Sequence, residues 1–143
     1  MKKPVIFIIN HGEFGKALIE SAELIAGPID DIYAFSLKKG MSLEDLIELV
    51  EDKLKMEKNV IVLTDLFGGT PNNVAAYLQN KYQFPLISGV NLPILLNLIL
   101  SRDAAEVDID SIVSDTVAAG KDSIQYQELK NEFEIGGDDF DWN

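Results

Sequence analysis

Residues 4–10 form an unbroken Val/Ile/Phe run ending in Asn10, with no alternation of apolar and polar side chains. A strand that is apolar on both sides must be covered on both faces, the situation of a parallel sheet between helix layers. The segments that follow supply those layers. Phe14, Leu18, Ala22, Ile25 and Ala26 recur at helical spacing until Gly27-Pro28 stops the helix. Residues 32–37 read as a second strand. Ser42 stands as an N-cap with Asp45 at N3, an acidic form of the capping box. It opens a helix with Leu43, Leu46, Ile47, Val50 and Leu54 on its apolar face. Residues 60–64 are a third strand. Thr70 reads as the next N-cap, with Pro71 at N1, and that helix continues through Val74, Ala75 and Leu78.

A fourth strand spans 84–88. A helix over 91–100 follows, capped by Asn91, with Pro93 admitted because it lies in the first turn. Residues 108–119 read as helix, striped by Ile109, Ile112, Val113 and Val117. Two readings stand for residues 123–135. Ile124, Tyr126, Leu129, Phe133 and Ile135 suggest a strand, whereas Glu128-Leu129-Lys130 suits a helix; the strand is the expectation. The alternation of strand and helix implies right-handed crossovers. The expected fold is therefore α/β, a three-layer α/β/α sandwich. Its mainly parallel sheet has strand order 2-1-3-4 plus an antiparallel C-terminal strand. Residues 1–135 form one domain in this reading, and the acidic, glycine-led residues 136–143 form a flexible tail.

Acidic residues outnumber basic ones 24 to 12, a net charge of −12 that speaks against nucleic-acid binding. The absence of cysteine excludes disulfides, thiolate nucleophiles and Cys-type zinc sites. Lys2 and Lys3 precede a short apolar run in the manner of a secretion signal. The run is too short, and His11, Glu13 and Lys16 interrupt its continuation, so a cytoplasmic protein is expected. No stretch approaches the ~18 apolar residues of a membrane span.

With strand order 2-1-3-4 the chain reverses direction between strands one and three, whose carboxyl ends flank the crevice. Those ends are Asn10-His11 and Thr64-Asp65. His11, the single histidine, has the one side chain here that ordinarily titrates near neutrality. A carboxylate accepting from Nδ1–H fixes the ring tautomer, leaves Nε2 nucleophilic and stabilises positive charge developing on the ring. Asp65 is the candidate. The plainer alternative is a loop histidine beside a turn-capping aspartate. Gly68-Gly69-Thr70-Pro71 offers a phosphate close backbone approach, a hydroxyl and a helix N-terminus. No lysine follows the glycines, so this is not a nucleotide-binding loop of the Walker type.

Asn72 and Asn73 read as soluble helix positions, with polar site residues as the alternative; Arg102-Asp103 reads as a surface pair, with anion binding as the alternative; Phe67 reads as either a docking hydrophobe or core. Ser36 and Ser88 lack the G-x-S-x-G context of a hydrolase. One histidine among scattered acids makes no metal site.

Taken together, these residues resemble the IIA domain of the mannose family of the phosphoenolpyruvate-dependent sugar phosphotransferase system. The matching pieces are His11-Gly12 after strand one and Ser21-Ala22-Glu23 with Gly27 in the first helix. Leu63-Thr64-Asp65-Leu66-Phe67-Gly68-Gly69-Thr70-Pro71-Asn72-Asn73 and Gly89-Val90-Asn91-Leu92-Pro93 complete them. The resemblance implies a phosphorelay. His11 takes a phosphoryl group on Nε2 from HPr and passes it to a IIB component, which phosphorylates sugar entering through membrane IIC and IID subunits. It makes Asp65 the residue that orients the ring and Thr70 a holder of phosphoryl oxygens. Gly12, Gly69 and Asn10 are the further phosphate-positioning candidates.

The resemblance also implies a homodimer in which a C-terminal strand can be exchanged, the role suited to residues 123–135. It implies no cofactor and no metal. Asn10 departs from the Gly or Thr common at its position. No IIB segment follows, so a separate IIB protein is the expected acceptor. Acidic groups are expected away from the phosphate rim. Alternative readings are the IIA-like subunit of a dihydroxyacetone kinase, a receiver-like module phosphorylated on Asp65, and a regulatory protein of this fold.

Overall fold

Among the described residues nine elements follow one another: β1 (Val5–His11), α1 (Phe14–Ala26), β2 (Ile32–Leu37), α2 (Leu43–Leu54), β3 (Val60–Thr64), α3 (Gly69–Tyr82), β4 (Leu86–Ser88), α4 (Leu92–Arg102) and α5 (Ile109–Asp122). The computed structural model describes residues 3–104 and 108–130. The strands pair in the order β2-β1-β3-β4, and all three pairings are parallel. This is the expected three-layer arrangement.

The two sides of β1 explain its unbroken apolar run. Val5, Phe7 and Ile9 pack with Phe35, Val60 and Val62 under α2 and α3, which contribute Leu46, Val50, Val74 and Leu78. Ile6 and Ile8 pack with Ile61, Leu63 and Ile87 under α1, α4 and α5, which contribute Ala22, Leu95, Leu98 and Ile112. Successive side chains of a strand point to opposite faces, so a centre strand needs apolar residues at every position. Among the described residues, no helix is long and apolar enough to cross a membrane.

Local signals hold where they are short-range. Ser42 and Asp45 form both halves of the capping box, Asp45 N–H donating to Ser42 Oγ at 3.1 Å and Ser42 N–H to Asp45 Oδ2 at 3.0 Å. Asn91 caps α4 by accepting from Ile94 N–H at 2.9 Å. Three expectations are corrected. Thr70 is not the cap of α3. Gly68 is, and both Gly68 and Gly69 adopt positive φ, +88° and +79°, so the chain turns into the helix before Thr70 is reached. Pro71 becomes its third residue.

The C-terminal antiparallel strand is absent over residues 124–130, where Ile124, Tyr126 and Leu129 are exposed. With no apolar face buried, nothing fixes a strand register there. The remainder of that expected strand, residues 131–135, and the expected tail, residues 136–143, lie outside the described residues.

Arg102 is the third correction. It is not a surface residue but 1% exposed, and its guanidinium donates to the carbonyls of Pro4 at 3.2 Å, Asp31 at 2.9 Å and Asp30. Burial pulls its pKa down, opposed by the nearby carboxylates of Asp103, Asp30 and Asp31. The end of α4 is thereby pinned to the residues that lead into β1 and β2. Arg102→Ala strands these carbonyls and empties the space between them. The expected cost is about 3–5 kcal/mol, read as a lower urea midpoint; a loss below about 1 kcal/mol would show that the clamp is dispensable.

Candidate functional site

His11 is the last residue of β1 and pairs in register with Leu37 of β2. The strand ends there because Gly12 turns away at φ +54°, its N–H still bonded to the Leu37 carbonyl at 2.9 Å. Asp65 follows β3, the neighbouring strand. One carboxylate oxygen, Oδ2, accepts from His11 N–H at 2.8 Å and lies 2.9 Å from His11 Nδ1. The Asp65 side chain is 12% exposed and the imidazole 47%. A carboxylate has no proton to give, so the 2.9 Å contact requires Nδ1 to carry one. In the neutral ring the other nitrogen, Nε2, then keeps its lone pair, on a side chain that is half-exposed.

The turn before α3 flanks that nitrogen. A Cβ placed on Gly69 would stand 3.5 Å from His11 Cε1 and 3.7 Å from Nε2. The ring leaves room for a Cβ there, so it is the positive φ of +79° that favours glycine at this position. No side chain caps α3, and Pro71 has no N–H to offer. The free donors of its first turn therefore include Gly69 and Thr70, the arrangement that favours an anion. Thr70 lies half-buried in that turn.

Asn10 is fully buried beneath the site. Its Nδ2 donates to the carbonyls of His11 at 3.2 Å and Gly12 at 3.0 Å, bracing the turn that presents the ring. Its Oδ1 has no hydrogen-bond partner and rests against Gly15 of α1.

Asn72 is the polar residue that the sequence reading set aside. It is buried, and its Oδ1 accepts from Thr64 Oγ at 3.0 Å and Ser88 Oγ at 2.5 Å. Thr64 and Ser88 are register partners that end β3 and β4. Asn73 is exposed, and Arg102 belongs to the clamp described above. Phe67 is 84% exposed and Leu66 57%, so neither is core. Glu13, two residues after His11 in the chain, lies 4.0 Å from Lys38.

A family model described as "PTS system fructose IIA component" matches residues 5–117, most of the described chain. The chain belongs to the mannose-type IIA family of the sugar phosphotransferase system. The fructose-specific EIIA component of Bacillus subtilis is 37% identical over 102 residues, covering 68% of this chain and 70% of that one. The mannose-specific EIIAB component of Escherichia coli K12 is 30% identical over 129 residues, covering 87% of this chain. This IIA chain spans 40% of that relative's length. A crystal structure of EIIA from Streptococcus agalactiae superposes with a TM-score of 0.80 at 32% identity, over 85% of this chain and 95% of that one. Membership gives this IIA component a phosphotransferase role in sugar uptake.

The Asn10 brace generates a stability test. Gly15→Ala would drive a Cβ into the Asn10 carboxamide and press within 3.0 Å of Ala34 Cβ. A loss of about 1–3 kcal/mol is expected on urea unfolding, and adding Asn10→Ala should recover part of it. Equal losses with and without Asn10→Ala would show that the two positions are uncoupled.

Proposed function

We propose that His11 Nε2 accepts a phosphoryl group from phospho-HPr and returns it to a IIB component, for phosphorylation of sugar entering through IIC and IID subunits. The observation that supports this most is the 2.9 Å contact between Nδ1 and Asp65, which leaves Nε2 as the free nucleophile beside the Gly69 turn. In the forward step the Nε2 lone pair attacks the donor phosphorus in line. The donor's N–P bond breaks, and its electron pair returns to the donor imidazole. Positive charge then developing on the His11 ring is met by Asp65. Donors at the start of α3 meet the phosphoryl oxygens, and the Thr70 hydroxyl adds another in this reading. Positioning and charge stabilisation are the main demands of such a transfer. The second transfer, to IIB, reverses these movements.

Exposed Leu66 and Phe67, in the turn between Asp65 and α3, give the two protein partners an apolar contact surface. The protein acts on the cytoplasmic side, where both partners would meet it. We assign a homodimer as well. The β4 edge opens on a cleft of about 420 Å³ lined by Phe67, Ile87, Ile94, Val113, Val117 and Ile124. The exposed apolar segment 124–130 of a second copy is the proposed cover. A receiver-like reading fits less well, because Asp65 Oδ2 is already engaged by two nitrogens of His11.

Incubation with enzyme I, HPr and phosphoenolpyruvate, followed by intact and peptide mass spectrometry, tests the proposal. One acid-labile, alkali-stable phosphoryl group on His11 is expected, none in His11→Ala, and a rate lower by about 100-fold or more in Asp65→Asn. A chain that stays unmodified while a control IIA protein is charged, or that carries an alkali-labile phosphate on Asp65, would overturn it.

A further inference from the structure

Helices α2 and α4 begin with a side-chain cap, from Ser42 and Asn91. Helices α1, α3 and α5 have no side-chain cap among the described residues, and at α3 Gly68 holds the N-cap position. A helix start without a cap is prone to fray, because its leading N–H groups have no intrahelical partners. Yet this is the start that flanks His11 Nε2, where a Cβ on Gly69 would lie 3.7 Å from the nitrogen. A capping hydroxyl or carboxylate would steady the turn but would also occupy a donor that an incoming phosphoryl group needs. The turn must be held from somewhere else.

We infer that Asn72 is a positioning residue for phosphoryl transfer: its buried carboxamide, bridging Thr64 and Ser88, holds the start of α3 against the strand ends while leaving the Gly69 and Thr70 amides free. Asn72 Oδ1 accepts from both hydroxyls, at 3.0 Å and 2.5 Å, so its two lone pairs are used. Thr64 is fully buried and Asn72 only 8% exposed, so water competes little for these bonds. A buried polar network with its acceptor filled is stiff. Thr64 also immediately precedes Asp65, which holds Nδ1 of the imidazole. The group that orients the ring and the turn that receives the phosphate are thus referenced to one residue. Asn72 itself reaches neither His11 nor the phosphoryl group.

Its effect should appear in the rate of transfer within the docked complex rather than in docking. The inference rests on His11 being the phosphoryl acceptor, so wild type is charged first and its modified residue mapped. Phosphorylation by phospho-HPr is then followed over a range of HPr concentrations for wild type, Asn72→Ala, Ser88→Ala and the double variant, each checked for native circular dichroism. In Asn72→Ala the maximal rate should fall about 100-fold, the effect of a reacting group displaced by about 1 Å. Half-saturating HPr should stay within about two-fold. Ser88→Ala, losing one of the two bonds, should lose about ten-fold. The double variant should be no slower than Asn72→Ala alone, since both act through one network.

A folded Asn72→Ala protein with the wild-type maximal rate would overturn the inference. So would a loss seen only as weaker half-saturation. If Asn72→Ala does not fold, Ser88→Ala decides, and an unchanged maximal rate there has the same meaning. Wild type that takes no phosphoryl group would remove the His11 assignment and this inference together.

Discussion

One carboxylate oxygen organises the site. Asp65 Oδ2 takes the backbone N–H of His11 at 2.8 Å and faces its ring Nδ1 at 2.9 Å. The backbone bond anchors the carboxylate regardless of how the ring is protonated. The ring bond then decides which nitrogen is free. Without the first, Asp65 would be another half-exposed acid; without the second, either imidazole nitrogen could react. Asp65 is mostly buried while the ring is half-exposed, so the holder is fixed and the nucleophile accessible.

The sheet order makes that contact unavoidable. β1 lies between β2 and β3, and its end stands beside the end of β3 because the two run parallel in register, Ile9 opposite Thr64. Past that pair come Asn10 and His11 on β1 and Asp65 after β3. The continuous apolar character of β1 and β3 is what places them in the middle of the sheet, and the middle of the sheet is where the switch point lies. Function here descends from a hydrophobic pattern two steps removed from it.

The same reasoning explains what was legible in the sequence. β2 and β3 have the expected limits, and the Ser42 and Asn91 caps form as read, because strand runs and caps depend on residues a few places apart. The start of α3 was misread because Thr70-Pro71 satisfies a cap-and-proline pattern, while the deciding fact is a pair of left-handed glycines just ahead of it. Arg102 looked like a surface residue because its partners, the carbonyls before β1 and β2, are some seventy to a hundred residues away in the chain. Asn72 looked like a solvent-facing helix residue because nothing local says that two strand-end hydroxyls will meet it. Asn10 braces the turn that carries His11, a contact that depends on which way one buried side chain points and so is not legible in the sequence. The C-terminal strand needs a neighbour that residues 124–130 do not have among the described residues.

The most direct measurement is nitrogen NMR of the imidazole before and after phosphorylation by phospho-HPr. With a single histidine in the chain, the ring gives one pair of resonances and no assignment problem. A proton on Nδ1 beforehand, and phosphorus coupled to Nε2 afterwards with Nδ1 still protonated, is the expected result. Phosphorus on Nδ1, or a free ring whose proton sits on Nε2, would contradict the role given to Asp65.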